Sequence, residues 1–149
     1  MTTTPSHRTM FVPGNPKPQG SKSFKGINKG TGRAILAESS KGVGPWRERI
    51  RDYALSRFGM TPIPGDRPVH VRVEFVMPRP KALPKSRTPP AVKRIGDLDK
   101  LVRATFDALS KVLYADDAQI TSLTASKRIA EPGENPGALI VVADIGDDR

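Results

Sequence analysis

The stretch that decides the fold reads GDLDKLVRATFDALSKVLYADD, residues 96–117. Leu98, Leu101, Val102, Thr105, Leu109 and Val112 recur in it at helical spacing, widened by Phe106 and Leu113. That pattern predicts an amphipathic helix over 98–113. Acids bracket it, with Asp97 and Asp99 at its start and Asp116 and Asp117 past its end. The chain around them is strongly basic: 25 Lys and Arg against 15 Asp and Glu give a formal net charge of +10. Acids gathered so tightly in a basic protein call for a reason.

Downstream, 118–130 reads as a strand, 131–137 as a turn and 137–145 as a buried-type strand. Upstream, 68–77 alternates, with Val69, Val71, Val73, Phe75 and Met77 on one side and His70, Arg72 and Glu74 on the other, the mark of a half-buried strand. Residues 44–59 predict a helix, with Pro45 suited to its first turn and Gly59 to the position past its end. Trp46, Ile50, Tyr53, Ala54 and Phe58 recur at helical spacing, so Trp46 reads as a core anchor. Residues 8–14 predict a short strand ended by Pro13-Gly14. The order is strand, helix, strand, helix, strand, strand. It implies one α+β domain over 8–145, between tails 1–7 and 146–149, with a small mixed sheet packed against two main helices.

Two long loops complete the pattern. Residues 15–33 carry Lys17, Lys22, Lys25, Lys29 and Arg33 with no acid and read as a mobile basic loop or ribbon. Residues 78–96 carry Arg79, Lys81, Lys85, Arg87, Lys93 and Arg94, again without acid, and their prolines keep them extended. This second loop feeds directly into the acidic pair.

Composition narrows the chemistry. A chain of 149 residues fits one domain with a real core. With 36% hydrophobic but only 5% aromatic residues, that core is aliphatic. The charge and the pI near 10.3 point to a polyanionic partner, in the first place nucleic acid. Without cysteine, disulfides, thiolate metal sites and cysteine nucleophiles are excluded. His7 and His70 belong to no spaced metal motif. No apolar run has signal-peptide or membrane-spanning length, so a cytoplasmic protein with no membrane partner is expected.

The acids admit three readings. Asp97 and Asp99 can cap the helix and favour its dipole, which leaves Asp116 and Asp117 unexplained. A calcium loop fails on spacing, because Leu101 would have to be a ligand and no glycine follows at the turn. A hard-cation site fits two carboxylates one residue apart plus a third from elsewhere. Ions held there would activate water and stabilise a leaving oxygen at a phosphodiester that the basic loops hold. Reach sets a condition. A helix over 98–113 is ~24 Å long, which leaves Asp117 at the wrong end. Either the helix stops early, near Ser110, and 111–117 run back ~23 Å, or Asp117 serves a site on a second subunit. Arg103, four residues after Asp99, shares its helix face and is either a surface ion pair or a phosphate ligand.

The same stretch resembles the signature of the RusA-type Holliday junction resolvases. The resemblance rests on Asp97-Leu98-Asp99, Asp107-Ala108-Leu109, Asp116-Asp117-Ala118-Gln119 and the later Lys127, with VPGNPKPQGSKSF and MPRPKALPK also similar. It implies a small, homodimeric, Mg²⁺-dependent endonuclease, with Mn²⁺ able to substitute. The partner would be four-way or other branched DNA, nicked in paired, symmetric fashion during recombination, repair or phage DNA debranching. By resemblance the catalytic, metal-holding carboxylates fall on Asp97, Asp99 and Asp117, with Asp116 in support. Arg103 stands where the family usually has lysine. It keeps a charge for the phosphate but not a proton to transfer. Lys127 would contact DNA, as would Lys17, Lys22 and Lys25 from one loop and Arg79, Lys81, Lys85, Arg87, Lys93 and Arg94 from the other.

Overall fold

The structure is a computed structural model that describes residues 7–20, 22–27, 29–31, 34–38, 42–92 and 96–146. Its elements, in chain order, are β1 (His7–Pro13), β2 (Lys22–Ile27), β3 (Ala34–Glu38), α1 (Val43–Phe58), β4 (Val69–Met77), α2 (Leu98–Leu109), β5 (Ile120–Ile129) and β6 (Gly137–Asp144). A 3₁₀ turn over Asp117–Gln119 leads into β5.

The alternation in 68–77 becomes the centre of a four-stranded mixed sheet of order β1-β6-β4-β5. β4 lies parallel to β5 and antiparallel to β6, and β6 lies antiparallel to β1. Parallel neighbours need a crossover, and α2 supplies it. Across the sheet Val71 pairs with Leu123 and Val142, and Val73 with Ala125 and Ile140. Val69, Val71, Val73, Phe75 and Met77 therefore share one face with Ile140, Val142, Met10 and Val12. That face is buried in one core with Trp46, Ile50 and Ala54 of α1 and Leu101, Ala104, Ala108 and Leu109 of α2. Each large aliphatic side chain so buried contributes ~1.5–3 kcal/mol against leaving it in water. Trp46 is the anchor its spacing predicts, and Gly59 ends α1 with φ +73° and its N–H on the Leu55 carbonyl. The result is the small single-domain α+β fold expected, with its helices on one face.

Two elements depart from expectation. Residues 15–33 do not form one continuous loop. Part of that stretch enters a separate hairpin in which β2 pairs antiparallel with β3, from Lys22 opposite Glu38 to Ile27 opposite Ala34. The second departure is α2, which ends at Leu109 instead of running to 113. Ser110 leaves the helix with ψ 132°, and Lys111 takes φ +69°. Val112, Leu113 and Tyr114 are nevertheless fully buried. Periodicity counted them as helix because the turn buries them just as a helix would. Ile63 pins this turn, donating its N–H to Leu113 O and accepting from Ala115 N. Tyr114 locks it from within, its hydroxyl donating to Phe106 O at 2.8 Å.

Candidate functional site

α2 positions the acids, and its two ends hold them differently. At the N-terminus Asp97 occupies the cap position in extended conformation. Its carbonyl accepts the first helical bonds, from Lys100 N at 3.1 Å and Leu101 N at 3.0 Å. Its side chain makes no capping bond. Asp97 and Asp99 are both exposed. The capping explanation of this pair therefore fails for Asp97, whose carboxylate is not spent on the helix.

The ground beneath the pair is built from three other segments. Gly96 adopts φ +99°, and a Cβ there would stand 3.1 Å from Pro18 Cγ. Gln19 N donates to the Lys100 carbonyl at 2.9 Å, and Arg47 of α1 donates to the Gln19 side chain. Lys127 of β5 donates its ammonium to the Gly96 carbonyl at 2.6 Å. Segment 15–20, α1 and the end of β5 thus converge on the start of α2. β2, with Lys22 and Lys25 in its sequence, begins just beyond Gln19.

At the other end of α2 the acids are organised around a turn. Asp116 caps it: its carboxylate accepts from Ala118 N at 2.9 Å, and Gln119 Oε1 accepts from Asp116 N in return at 2.9 Å. This reciprocal capping box satisfies two backbone donors at once. Gln119 also donates to the Pro64 and Arg67 carbonyls, each at 2.9 Å, which ties the turn to the body. The bond from Ala118 holds the Asp116 carboxyl below its usual range. Asp117 moves the other way, raised first by its hydrogen bond with Asp116 and then by burial and by the charges of Asp116 and Asp107, while Arg103 opposes. Burial, with the charges of Asp117 and Asp107, likewise pushes the Tyr114 phenol up.

Those neighbours locate Asp117. Asp107 and Arg103 belong to a stripe on α2, Asp99-Arg103-Asp107, spaced one turn apart. Asp107 lies ~12 Å along the axis from Asp99. The early end of α2 does not carry Asp117 back to Asp97, because residues 110–114 are spent in the turn on Ile63. Among the described residues no group of three or more His, Cys, Asp or Glu is placed to hold a metal ion. The oxygen donors of Asp97 and Asp99 suit a hard cation, but among the described residues no third acid stands with them.

The predicted basic contacts divide. Lys81, Lys85 and Arg87 are exposed on the proline-rich loop. Arg79 is folded into that loop: its guanidinium donates to Thr88 Oγ1 (2.7 Å), Pro84 O (2.5 Å), Arg87 O (2.6 Å) and Ala130 O (3.3 Å). It shapes the loop that displays the other cations. Lys127 is likewise engaged with the Gly96 backbone. Lys17 packs along Gly42, where α1 begins. Lys93, Arg94 and the side chains of Lys22 and Lys25 lie outside the described residues. Sequence reasoning missed Gln119 and the Pro18–Gly96 contact. The first had a readable signal, a glutamine three residues after a capping aspartate; the second, made across the fold, had none.

An exposed acidic pair at a helix start, in a strongly basic chain, agrees with the comparison by sequence. The family model for endodeoxyribonuclease RusA matches residues 13–142. The chain belongs to the RusA endodeoxyribonuclease family. The match runs from the end of β1 into β6 and so takes in both helices and all the acids described above. No curated protein sequence matches the chain. Membership makes this a nuclease fold, and no helix among the described residues is long and apolar enough to cross a membrane.

Proposed function

We propose that this RusA-family protein is a Mg²⁺-dependent endonuclease that resolves four-way DNA junctions as a homodimer. The observation that carries the reading is the uncapped, exposed Asp97–Asp99 pair inside a RusA match that covers most of the chain. Asp97 and Asp99 would hold the ion together with Asp117 of the partner subunit, since the chain's own Asp117 stands at the far end of α2. When bound, Mg²⁺ supplies positive charge that offsets the phosphodiester and acidifies water.

The chain's own residues do the rest. Arg103, on the stripe between Asp99 and Asp107, presents a fixed cation to the scissile phosphate. Lys127, through the Gly96 carbonyl, holds the start of α2 in place. Lys17, Lys22 and Lys25 on one side, with Lys81, Lys85 and Arg87 on the other, grip the arms through phosphates. In-line attack by water at phosphorus breaks the bond to the 3′ oxygen and leaves a 5′-phosphate and a 3′-hydroxyl. Two-fold symmetry places two such cuts in opposed strands.

The test is a gel assay on an end-labelled four-way junction and a matched duplex, each with Mg²⁺, Mn²⁺ or EDTA, for wild type and Asp99→Asn. Symmetric junction nicks are expected that require the metal and fall at least about 100-fold in the variant. Equal cutting of the duplex would make it a general nuclease. Tight junction binding without cleavage under either metal would reduce the protein to a binding module.

A further inference from the structure

Where α1 begins, a cleft of about 430 Å³ opens between its first turns and the segment that follows β1. Gly14 and Gly42 both line it, with φ +140° and +81°. Each lies beneath the stem of a cation. A Cβ at Gly14 would stand 3.1 Å from Arg49 Cδ, and one at Gly42 would stand 3.4 Å from Lys17 Cε. Two bare backbone positions thus let Arg49 and Lys17 lie along the same cleft. Among the described residues neither cation is tied to an acid, unlike Arg67 on Asp144 and Arg128 on Glu134. Asn15 and Trp46 complete the lining, and the buried indole N–H of Trp46 is an unspent donor. α1 itself starts without a side-chain cap or an acid in its first turn, which leaves the positive end of its dipole unopposed. No acid lines this cleft. The next hollow along α1 differs, because Glu48 and Asp52 line it beside Arg49.

We propose that this cleft binds one backbone phosphate of the DNA being cut, held between Lys17 and Arg49. The proposal rests on the reading above, that the chain is a junction nuclease, and it names where a strand is gripped. Two unpaired cations beside an uncapped helix start suit an oxyanion. The position of that phosphate follows from the chain. Pro18, next to Lys17, packs on Gly96, and Asp97 follows Gly96. Two Cα steps of about 3.8 Å and one contact put Lys17 within ~15 Å of Asp97. One strand of a duplex carries a phosphate per ~3.4 Å of axis, so the gripped phosphate is within about four of the scissile one. Gln19 N, bonded to the Lys100 carbonyl, ties the same segment to α2. The cleft and the acid pair therefore keep a constant separation. Arg49 lies on α1, outside both basic loops, and so escapes a count of loop cations.

The test measures junction binding in EDTA, first across a salt series and then on junctions in which one phosphate at a time near the branch point is an uncharged methylphosphonate. The double variant Lys17→Gln, Arg49→Gln should lower the slope of log K against log salt by about one, the share of one phosphate. One methylphosphonate position should weaken wild-type binding about 10-fold and leave the double variant indifferent. Arg49→Lys should keep the wild-type slope. Arg57→Gln, which removes an exposed cation further along α1, should change neither readout. An unchanged slope in the double variant, an equal fall for Arg57→Gln, or the same sensitive position in both proteins would overturn the cleft. Neither readout needs cleavage, so a protein that binds the junction but never cuts it fails as a nuclease and leaves the cleft to be decided by the slope. If the double variant loses its circular dichroism, Arg49→Gln alone, at an exposed helix position, decides.

Discussion

Asp97 and Asp116 hold the same kind of position, the residue before a helical turn, and use their carboxylates in opposite ways. Asp116 spends its side chain on Ala118 N and receives Gln119 in return. Asp97 makes no such bond, although its carbonyl starts α2. One acid builds its turn; the other is left to face outward. A cap position alone therefore does not tell a structural acid from a functional one; what decides is whether the carboxylate is consumed.

The most severe challenge to the contrast is to disturb the ground under Asp97 while sparing its carboxylate. Gly96→Ala forces a side chain into φ +99° and against Pro18. Unfolding in urea should show a loss of ~1–3 kcal/mol, and cleavage should fall further than stability explains. Wild-type activity in a normally stable Gly96→Ala protein would show that the site tolerates a shifted α2 start. The direct comparison comes next. Asp116→Ala removes a cap and should lower the urea midpoint, while Asp97→Ala should leave it unchanged in the same titration. Equal losses would erase the distinction.

Lys127→Met probes the other side of the site. Removing the bond to Gly96 should cost ~1 kcal/mol or less at this half-buried position. Cleavage should drop with no change in the salt dependence of junction binding. A salt slope reduced by about one unit would instead make Lys127 a phosphate contact. The smallest effect lies far from the acids. The Arg128 guanidinium, bonded to both Glu134 oxygens at 2.7 and 2.6 Å, holds that carboxyl at about 2, against an ordinary 4.5. The folded state binds this proton less readily than the unfolded one, so the pair stabilises above pH 4.5 and that stability is lost as pH falls toward 2. Glu134→Gln should flatten the loss of stability across that window; an unchanged profile would mean the pair contributes nothing.

Much of this was legible in the residues. Strict alternation marked β4, and the Pro45 and Gly59 signals bounded α1, because both report local backbone geometry. The end of α2 was not legible from periodicity: Val112, Leu113 and Tyr114 are buried by a turn that Ile63 pins from another segment. The hairpin of β2 and β3 went unread although Gly30 and Gly32 mark a turn between them, because neither KSFKGI nor AILAE alternates cleanly. At the site, Asp97 and Asp99 were visible as a pair and Arg103 as their helical neighbour. That Arg79 and Lys127 are engaged by backbone carbonyls was not, since a cation's partner across the fold leaves no trace in its own neighbourhood.

On this reading the acid set is split between the two ends of α2 and completed by a second chain. Mixing Asp99→Asn protein with Asp117→Asn protein asks whether that is so. Each alone should be inactive on a four-way junction. Co-refolded, the heterodimer holds one intact set, Asp97 and Asp99 from one chain with Asp117 from the other, and should restore nicking at one strand per junction. No recovery, with heterodimers demonstrably present, would place all three acids in a single chain and refute the split site.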